Sequence, residues 1–437
     1  MKFYNRENEI KLLQNTTKRS TKSSKMTIVV GRRRVGKTSL ILEAFKNSPF
    51  LYLFVSKKSE ALLCSDFTYE IESQLKLKVF GDIKSFAVLF DFLLEQSKAR
   101  PFTLVIDEFQ EFYNINPALY SEIQKIWDLQ KALSKMHVIF SGSVYSLMTK
   151  IFQNIKEPLF GRSDEKIFLK SFDVQTLKKI LSDHNPDYKN QDLLALYAIT
   201  GGVAKYVELF MDKNCTNLNA MLDEIFQNNS ILIDEGKNVL IDDFGRDYNT
   251  YFSILSLISS SKTSRTDIES ILEKSVGPYL EKLENDLNII KSVKPIFAKP
   301  NSRKQKYYIE DNFLKFWFRY VYKYKSAVEI ANFDYLKNIV KADFSTYSSK
   351  ILEKYFIEKM ILTNQFSAIG TYWEQNNNDE IDIVAVNEIE KKALIAEVKI
   401  NKSKISLNVL QLKAVKLIEN NLQNYEISYQ SLSVDDM

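Results

Sequence analysis

The sequence predicts an α/β protein whose first part is a parallel sheet with crossover helices. Three observations carry that expectation. Short apolar runs at Thr27–Val30, Phe50–Val55, Phe102–Ile106, Val138–Phe140 and Ile167–Leu169 recur along the first part of the chain. Helix-patterned segments fill the intervals, among them Ser59–Leu75, Ser85–Ser97 and Leu119–Leu133. Strands alternating with helices pair in parallel, because each crossover helix returns the chain to the same end of the sheet. The chain is also 437 residues long, more than one core supports, so several domains are expected.

The first element fixes the chemistry of the first domain. Thr27-Ile28-Val29-Val30 reads as a buried strand and Ser39–Phe45 as an amphipathic helix; between them lies Gly31-Arg32-Arg33-Arg34-Val35-Gly36-Lys37-Thr38. Strand, glycine-bounded loop and helix in that order form a phosphate-binding loop. The glycines let the backbone curl so that its N–H groups face inward, and the helix N-terminus adds partial positive charge. The spacing assigns the cradle to Gly31, Arg32, Arg33, Arg34, Val35, Gly36 and Ser39, the β- and γ-phosphates to Lys37, and Mg²⁺ to Thr38. The expected ligands are ATP and Mg²⁺.

Later strands complete that site. Leu104-Val105-Ile106-Asp107-Glu108 ends an apolar run in two carboxylates. Asp107 suits the Mg²⁺ hydration shell and Glu108 suits polarising an attacking water, since phosphoryl transfer depends on positioning and charge stabilisation. Val138–Phe140 leads into Ser141-Gly142-Ser143, where Ser141 and Ser143 are candidates for sensing the γ-phosphate or orienting the water. Arg162, in Pro158-Leu159-Phe160-Gly161-Arg162, is a candidate phosphate sensor or arginine finger, or else a structural arginine closing a loop.

Composition narrows the function classes. Apolar residues make up 45% and charged residues 26%, and no apolar run approaches the roughly 20 residues of a membrane helix. The charged start, Met1-Lys2-Phe3-Tyr4-Asn5-Arg6-Glu7, lacks an apolar signal core, which predicts a cytoplasmic protein with no membrane partner. Cys64, Cys215, His137 and His184 are too scattered for a four-ligand zinc site. Carboxylates and lysines must therefore carry the chemistry. The net charge of +5, from 60 basic and 55 acidic residues, does not by itself mark a nucleic-acid binder.

The middle of the chain changes texture. From about Phe172 to Ile241 the pattern is helical, broken at Thr200-Gly201-Gly202, and reads as a helical lid. Helices at Tyr251–Ser259, Arg265–Leu272 and Pro278–Asp286 precede a Lys-rich, strand-like hairpin around Ile296–Tyr308, the outline of a winged helix. Such a module can place a helix in a DNA groove or serve as a protein contact. The acidic balance of Pro278–Asp286 leaves both open.

These motifs resemble the archaeal-type ATPase family, a STAND-like branch of P-loop ATPases related to AAA proteins, over roughly residues 1–325. The resemblance rests on Asn5-Arg6-Glu7 with Glu9, the GRRRVGKT loop, LVIDEFQEF, FSGS, LFGR and TGGVAKY. It implies that Arg6 lies beside the nucleotide as an adenine- or sugar-side contact. Ala204 departs from the family, which commonly carries proline there, a difference touching the lid rather than the nucleotide residues. Asp311–Arg319 resembles the family's segment joining the ATPase to its C-terminal domain.

A second constellation lies near the C-terminus. Glu380-Ile381-Asp382-Ile383-Val384 alternates as a strand, and Ile395-Ala396-Glu397-Val398-Lys399 follows. Residues two apart on a strand share a face, so Glu397 and Lys399 project together. Asp382 and Glu397 are candidate Mg²⁺ ligands and Lys399 can stabilise charge or orient the attacking water in phosphodiester cleavage. Glu353, on a preceding helix, is the candidate fourth member. This D…ExK arrangement resembles the PD-(D/E)xK nuclease superfamily, particularly its resolvase-like members, over roughly residues 340–437, with Gln411 as a candidate accessory residue.

The expected architecture is thus a P-loop NTPase parallel sheet over residues 1–172, a helical lid over 173–245, a winged-helix-like module and linker over 246–325, and a C-terminal α/β restriction-endonuclease-like domain over 326–437. The expected function is an ATPase whose nucleotide state controls a DNA-processing, nuclease-like domain. The alternative is a STAND-type switch or scaffold whose C-terminal domain binds nucleic acid or protein without cutting. Either reading admits a homo-oligomer or a protein partner.

Overall fold

The computed structural model describes every residue except 245–247, 300–301, 303 and 375–379. It divides into two compact units, one of Asn5–Lys170 and one of Met1–Tyr4 with Ser171–Met437.

In the Asn5–Lys170 unit, five strands form a parallel sheet: β1 (Lys25–Val30), β2 (Phe50–Phe54), β3 (Phe102–Asp107), β4 (Met136–Gly142) and β5 (Glu165–Phe168). Their spatial order is β2-β3-β4-β1-β5. Every residue of β3 and β4 is buried, which explains why these strands read as continuous apolar runs rather than alternating ones. The helices are α1 (Glu7–Ser20), α2 (Lys37–Phe45), α3 (Glu60–Glu70), α4 (Phe86–Ala99), α5 (Phe112–Ile115), α6 (Leu119–Gln130) and α7 (Tyr145–Gln153). Two apolar cores form, one with Leu40, Ile41 and Ile139, the other with Leu104, Phe109 and Phe140. The order leaves the C-terminal ends of β1, β3 and β4 side by side. In open α/β sheets that edge is where ligands bind.

The second unit holds the helical segment, the helices with the hairpin, and the C-terminal sheet together. The helical segment contains α8 (Val174–His184), α9 (Asn190–Thr200), α10 (Ala204–Asp212), α11 (Leu218–Ile225) and α12 (Ile231–Phe244). Gly201 caps α9 at φ 58°. Gly202 follows at φ +75°, and a Cβ there would lie 2.2 Å from the Phe172 carbonyl oxygen, so this position requires glycine. The paired glycines thus have a structural reason.

Next come α13 (Tyr248–Ser259), α14 (Arg265–Leu272), α15 (Gly277–Glu281) and a π-helical turn at Lys282–Asp286. The hairpin strands are β6 (Ile290–Val293) and β7 (Lys306–Ile309), paired antiparallel. This corrects the expected hairpin around Ile296–Tyr308. Its first strand lies earlier, and Ile296 instead donates its N–H to the Thr371 carbonyl at 2.8 Å, leaning on the C-terminal sheet.

After α16 (Asn312–Trp317), α17 (Lys325–Glu329) and the 29-residue α18 (Phe333–Ile361), the chain forms β8 (Ala368–Tyr372), β9 (Ile381–Asn387), β10 (Lys392–Val398), α19 (Leu407–Asn421) and β11 (Glu426–Leu432). The sheet order is β11-β10-β9-β8, with β10 and β11 parallel and the other pairs antiparallel. Asp382 and Glu397 fall on the adjacent central strands β9 and β10. Among the described residues, no helix is long and apolar enough to cross a membrane.

Candidate functional site

The loop after β1 shows why the glycines bracket it. A Cβ on Gly31 would lie 2.7 Å from the Leu169 carbonyl oxygen, and Gly36 precedes α2 at φ 94°. Between them, Arg34 takes φ 74° and Val35 is buried, pinning the loop to the core. Arg32, Arg33 and Arg34 all lie in the curl, and Ser39 is exposed in the first turn of α2.

Lys37 is buried, and its Nζ donates to the carbonyls of Gly31 at 2.8 Å and Arg32 at 3.3 Å. Burial holds its pKa below the ordinary lysine value, Glu108 and Asp107 oppose that shift, and Arg33 adds to it. A buried ammonium bonded to carbonyls remains available to phosphate oxygens.

The strand order brings the two carboxylates to this loop. Asp107 is 3% exposed. Its Oδ2 accepts from the Thr38 hydroxyl at 3.1 Å and the Tyr52 hydroxyl at 2.6 Å, and its Oδ1 from the Glu108 N–H at 3.0 Å. Burial first, then the bond to Asp107, pushes the Tyr52 phenol well above its ordinary value. Thr38 and Asp107 present a hydroxyl and a carboxylate, hard oxygen donors on an open helix start. They fit a Mg²⁺ ion that keeps most of its waters.

Glu108 turns off the end of β3 at φ 54°. Its Oε2 accepts from the Ser143 hydroxyl at 2.7 Å and from the Gln110 side-chain amide. Of the two serines at the end of β4, Ser143 therefore touches the carboxylate; the Ser141 hydroxyl is buried without a hydrogen-bond partner among the described residues. Arg6 is buried at φ 79°, bonded to the Lys170 carbonyl and 3.7 Å from Glu9. Arg162 is engaged by Asp128, with Nη2 at 2.8 Å and Nε at 3.1 and 3.2 Å from the carboxylate oxygens. Tyr52 and Gln110 escaped the sequence reading, because their roles depend on β2 lying beside β3 and on the turn after β3.

The C-terminal constellation is assembled differently. Asp382 Oδ2 accepts from the Val398 N–H at 2.9 Å and from Lys399 Nζ at 3.3 Å. Lys399 also lies 2.8 Å from Glu397 Oε1, and Lys413 of α19 lies 3.3 Å from the same oxygen. Lys413, not the exposed Gln411, is the residue α19 brings to this cluster. On the other side, Lys350 Nζ lies 3.0 Å from Glu353 Oε2, 3.0 Å from Glu380 Oε1 and 3.8 Å from Asp382 Oδ1.

Burial pushes the Glu353 carboxyl up to about 8, with Lys350 opposing the shift. Burial also acts to raise Glu380, but Lys350 and Lys306 outweigh it and hold that carboxyl below its ordinary value. Glu374 is paired with Lys416 at 2.9 Å, and Asp379 lies outside the described residues. Among the described residues, no group of three or more His, Cys, Asp or Glu side chains is set to hold a metal. As arranged, these carboxylates do not fit a metal ion, because each already faces an ammonium.

Comparison with known proteins reaches both regions of the chain. Residues 3–210 match a family described as an ATPase domain predominantly from Archaea. Residues 317–415 match a family described as Archaea bacterial proteins of unknown function. An uncharacterized protein of Methanocaldococcus jannaschii is 28% identical over 414 residues, covering 91% of this chain and 87% of that one. Among solved structures, the Walker-type ATPase of Pyrococcus abyssi aligns with TM-score 0.55 and 18% identity over 72% of this chain and 96% of its own. The Aeropyrum pernix ORC2 protein, solved in ADPNP–ADP complexes, aligns with TM-score 0.50 and 14% identity over 77% of this chain and 95% of its own. The structural likeness concerns the fold. Residues 3–210 thus carry an archaeal-type P-loop ATPase domain, a type that binds nucleotide.

Proposed function

We propose that the chain hydrolyses ATP at the loop of residues 31–38 and that its nucleotide state controls the C-terminal α/β domain, which processes DNA. The observation that carries the first part is the convergence of Lys37, Thr38, Asp107 and Glu108 at the C-terminal edge of one parallel sheet. Lys37 and the loop N–H groups bind the β- and γ-phosphates. Thr38 and Asp107 hold Mg²⁺, which when bound neutralises charge on the phosphate oxygens. Glu108, oriented by Ser143 and Gln110, accepts the proton of the attacking water. Arg6 contacts the nucleoside side, and Arg162 acts as sensor or finger only after leaving Asp128. Replacing Glu108 by Gln should leave ATP binding within about twofold and lower turnover by about 100-fold or more, the scale of a lost general base. Wild-type hydrolysis by Glu108→Gln, at wild-type ATP affinity, ends this assignment.

For the C-terminal domain, the placement of Asp382, Glu397 and Lys399 on neighbouring strand ends supports phosphodiester chemistry. The helices α13 to α15 with the β6–β7 hairpin supply a winged-helix-like surface for DNA or a protein. A second reading, a switch or scaffold that binds nucleic acid or protein without cutting, is favoured by the lysines that neutralise each carboxylate. Wild type and Lys399→Ala, incubated with plasmid, branched and single-stranded DNA, separate the two. Cleavage lost in Lys399→Ala supports the first reading. Binding without cleavage, with ATP-dependent assembly on sizing, supports the second.

A further inference from the structure

The C-terminal cluster contains a cation of its own. Three carboxylates, Glu353 of α18, Glu380 ahead of β9 and Asp382 within it, surround the ammonium of Lys350 at 3.0, 3.0 and 3.8 Å. Oxygen-only surroundings drawn from several carboxylates are what a hard divalent ion seeks. Asp382 is bracketed, with Lys350 near Oδ1 and Lys399 on Oδ2. The two lysines differ in placement. Lys399 continues the strand that carries Glu397. Lys350 reaches in from the helix, and its side chain is 42% exposed, whereas those of Glu353 and Asp382 are each 7% exposed. A half-exposed lysine on a flexible stem can swing into water; the buried carboxylates cannot follow it.

We propose that Lys350 is a built-in counter-ion that occupies the cation position of the C-terminal site and keeps divalent metal out until it is withdrawn. The proposal rests on reading Asp382, Glu397 and Lys399 as a phosphodiester site, and it adds the regulation of that site. Charge balance gives the reason. With Lys350 in place, the carboxylates of Glu380, Asp382 and Glu397 face Lys306, Lys350, Lys399 and Lys413, and no net negative charge remains to attract an ion. Withdrawing Lys350 leaves the buried Asp382 with one ammonium fewer, a state that costs free energy unless a cation replaces it.

The helix carrying Lys350 is held elsewhere too. Three residues earlier, the Tyr347 hydroxyl donates to the Ala198 carbonyl at 2.9 Å and the Asn312 carbonyl at 3.2 Å. The rotational setting of α18, and with it the reach of Lys350, is therefore fixed by α9 and α16.

The test is Mn²⁺ binding to the full chain without nucleotide, followed by calorimetry and by the electron paramagnetic resonance of free Mn²⁺. Lys350→Met should bind at least tenfold tighter than wild type, and the gain should vanish when Asp382→Asn is added. Lys350→Gln, which retains hydrogen-bond donors without the charge and so spares folding, should show the same gain. Affinities of both variants equal to wild type, or a gain that survives Asp382→Asn, overturn the proposal. DNA cleavage is scored separately. Tighter Mn²⁺ binding without cleavage upholds the gate and ends the cleaving reading; a wild type that cleaves and already binds Mn²⁺ as tightly as Lys350→Met does the reverse.

Discussion

The two lysine–carboxylate clusters use the same residue types and differ in their partners. At the phosphate loop, Lys37 is held by backbone carbonyls and Asp107 by two hydroxyls and an N–H, while Glu108 is held by a hydroxyl and an amide. Those hydrogen bonds fix geometry without cancelling charge, so the charges stay directed at a ligand. In the C-terminal cluster, Lys350, Lys399 and Lys413 pair directly with Glu353, Glu380, Asp382 and Glu397. There the charges cancel internally, and a ligand must first displace one of them. Neutral partners prepare a binding site; ionic partners close one.

The largest test of this contrast replaces one lysine in each cluster by methionine. Lys37→Met should abolish nucleotide binding, by at least about 100-fold, the scale of one or two lost charge-assisted hydrogen bonds. It should leave the unliganded stability within about 1 kcal/mol, because among the described residues the hydrogen bonds of Lys37 go to the backbone carbonyls of Gly31 and Arg32. Lys399→Met should lower stability by about 2 kcal/mol in urea unfolding, less than for a fully buried pair because Lys399 is partly exposed and Lys350 and Lys413 remain. Equal stability losses in the two variants break the contrast.

A smaller effect comes from His137, whose two ring nitrogens lie 2.7 Å from the Thr17 hydroxyl and 2.8 Å from that of Thr27. Burial, with a lesser push from Arg19, brings its pKa from 6.5 down to about 3. The folded state therefore keeps the ring neutral while the unfolded chain takes up a proton below pH 6.5. Stability should fall with decreasing pH by about 1.4 kcal/mol per unit below pH 6, until the folded ring protonates near pH 3. Chemical denaturation of the wild type and of His137→Asn at pH 7, 6 and 5 checks this, and an unchanged slope in the variant contradicts it.

Local spacing made part of this legible. The glycines around Lys37, the acid pair closing β3 and the Glu-x-Lys step at the end of β10 depend on residues a few positions apart, where chain geometry alone sets the arrangement. Arg265–Leu272 was readable as a helix because its apolar and polar residues keep one period. The hairpin was misplaced because a π-helical turn at Lys282–Asp286 shifts the phase before Ile290. The partners of each site were not readable. Tyr52 reaches Asp107 only because β2 lies beside β3, and Lys350 reaches Asp382 only because α18 packs against β9. An isolated lysine or tyrosine on an amphipathic segment carries no signal of such a neighbour.

Tyr52 gives the smallest and most specific test. Its hydroxyl and that of Thr38 share Asp107 Oδ2, so a metal drawing Thr38 toward itself leaves the tyrosine holding the carboxylate. If neutral partners orient charge at the phosphate loop, removing this one should disturb the metal more than the nucleotide. Tyr52→Phe should raise the Mg²⁺ concentration for half-maximal ATP hydrolysis by about tenfold, corresponding to roughly 1.4 kcal/mol for one hydrogen bond to a carboxylate. Nucleotide affinity measured without metal should change by less than about twofold, since the phenol hydroxyl bonds Asp107 rather than the phosphate-cradling N–H groups of the loop. A parallel loss of both affinities would mean that Tyr52 supports the sheet edge as packing, and that Asp107 is positioned by the Glu108 N–H and Thr38 alone.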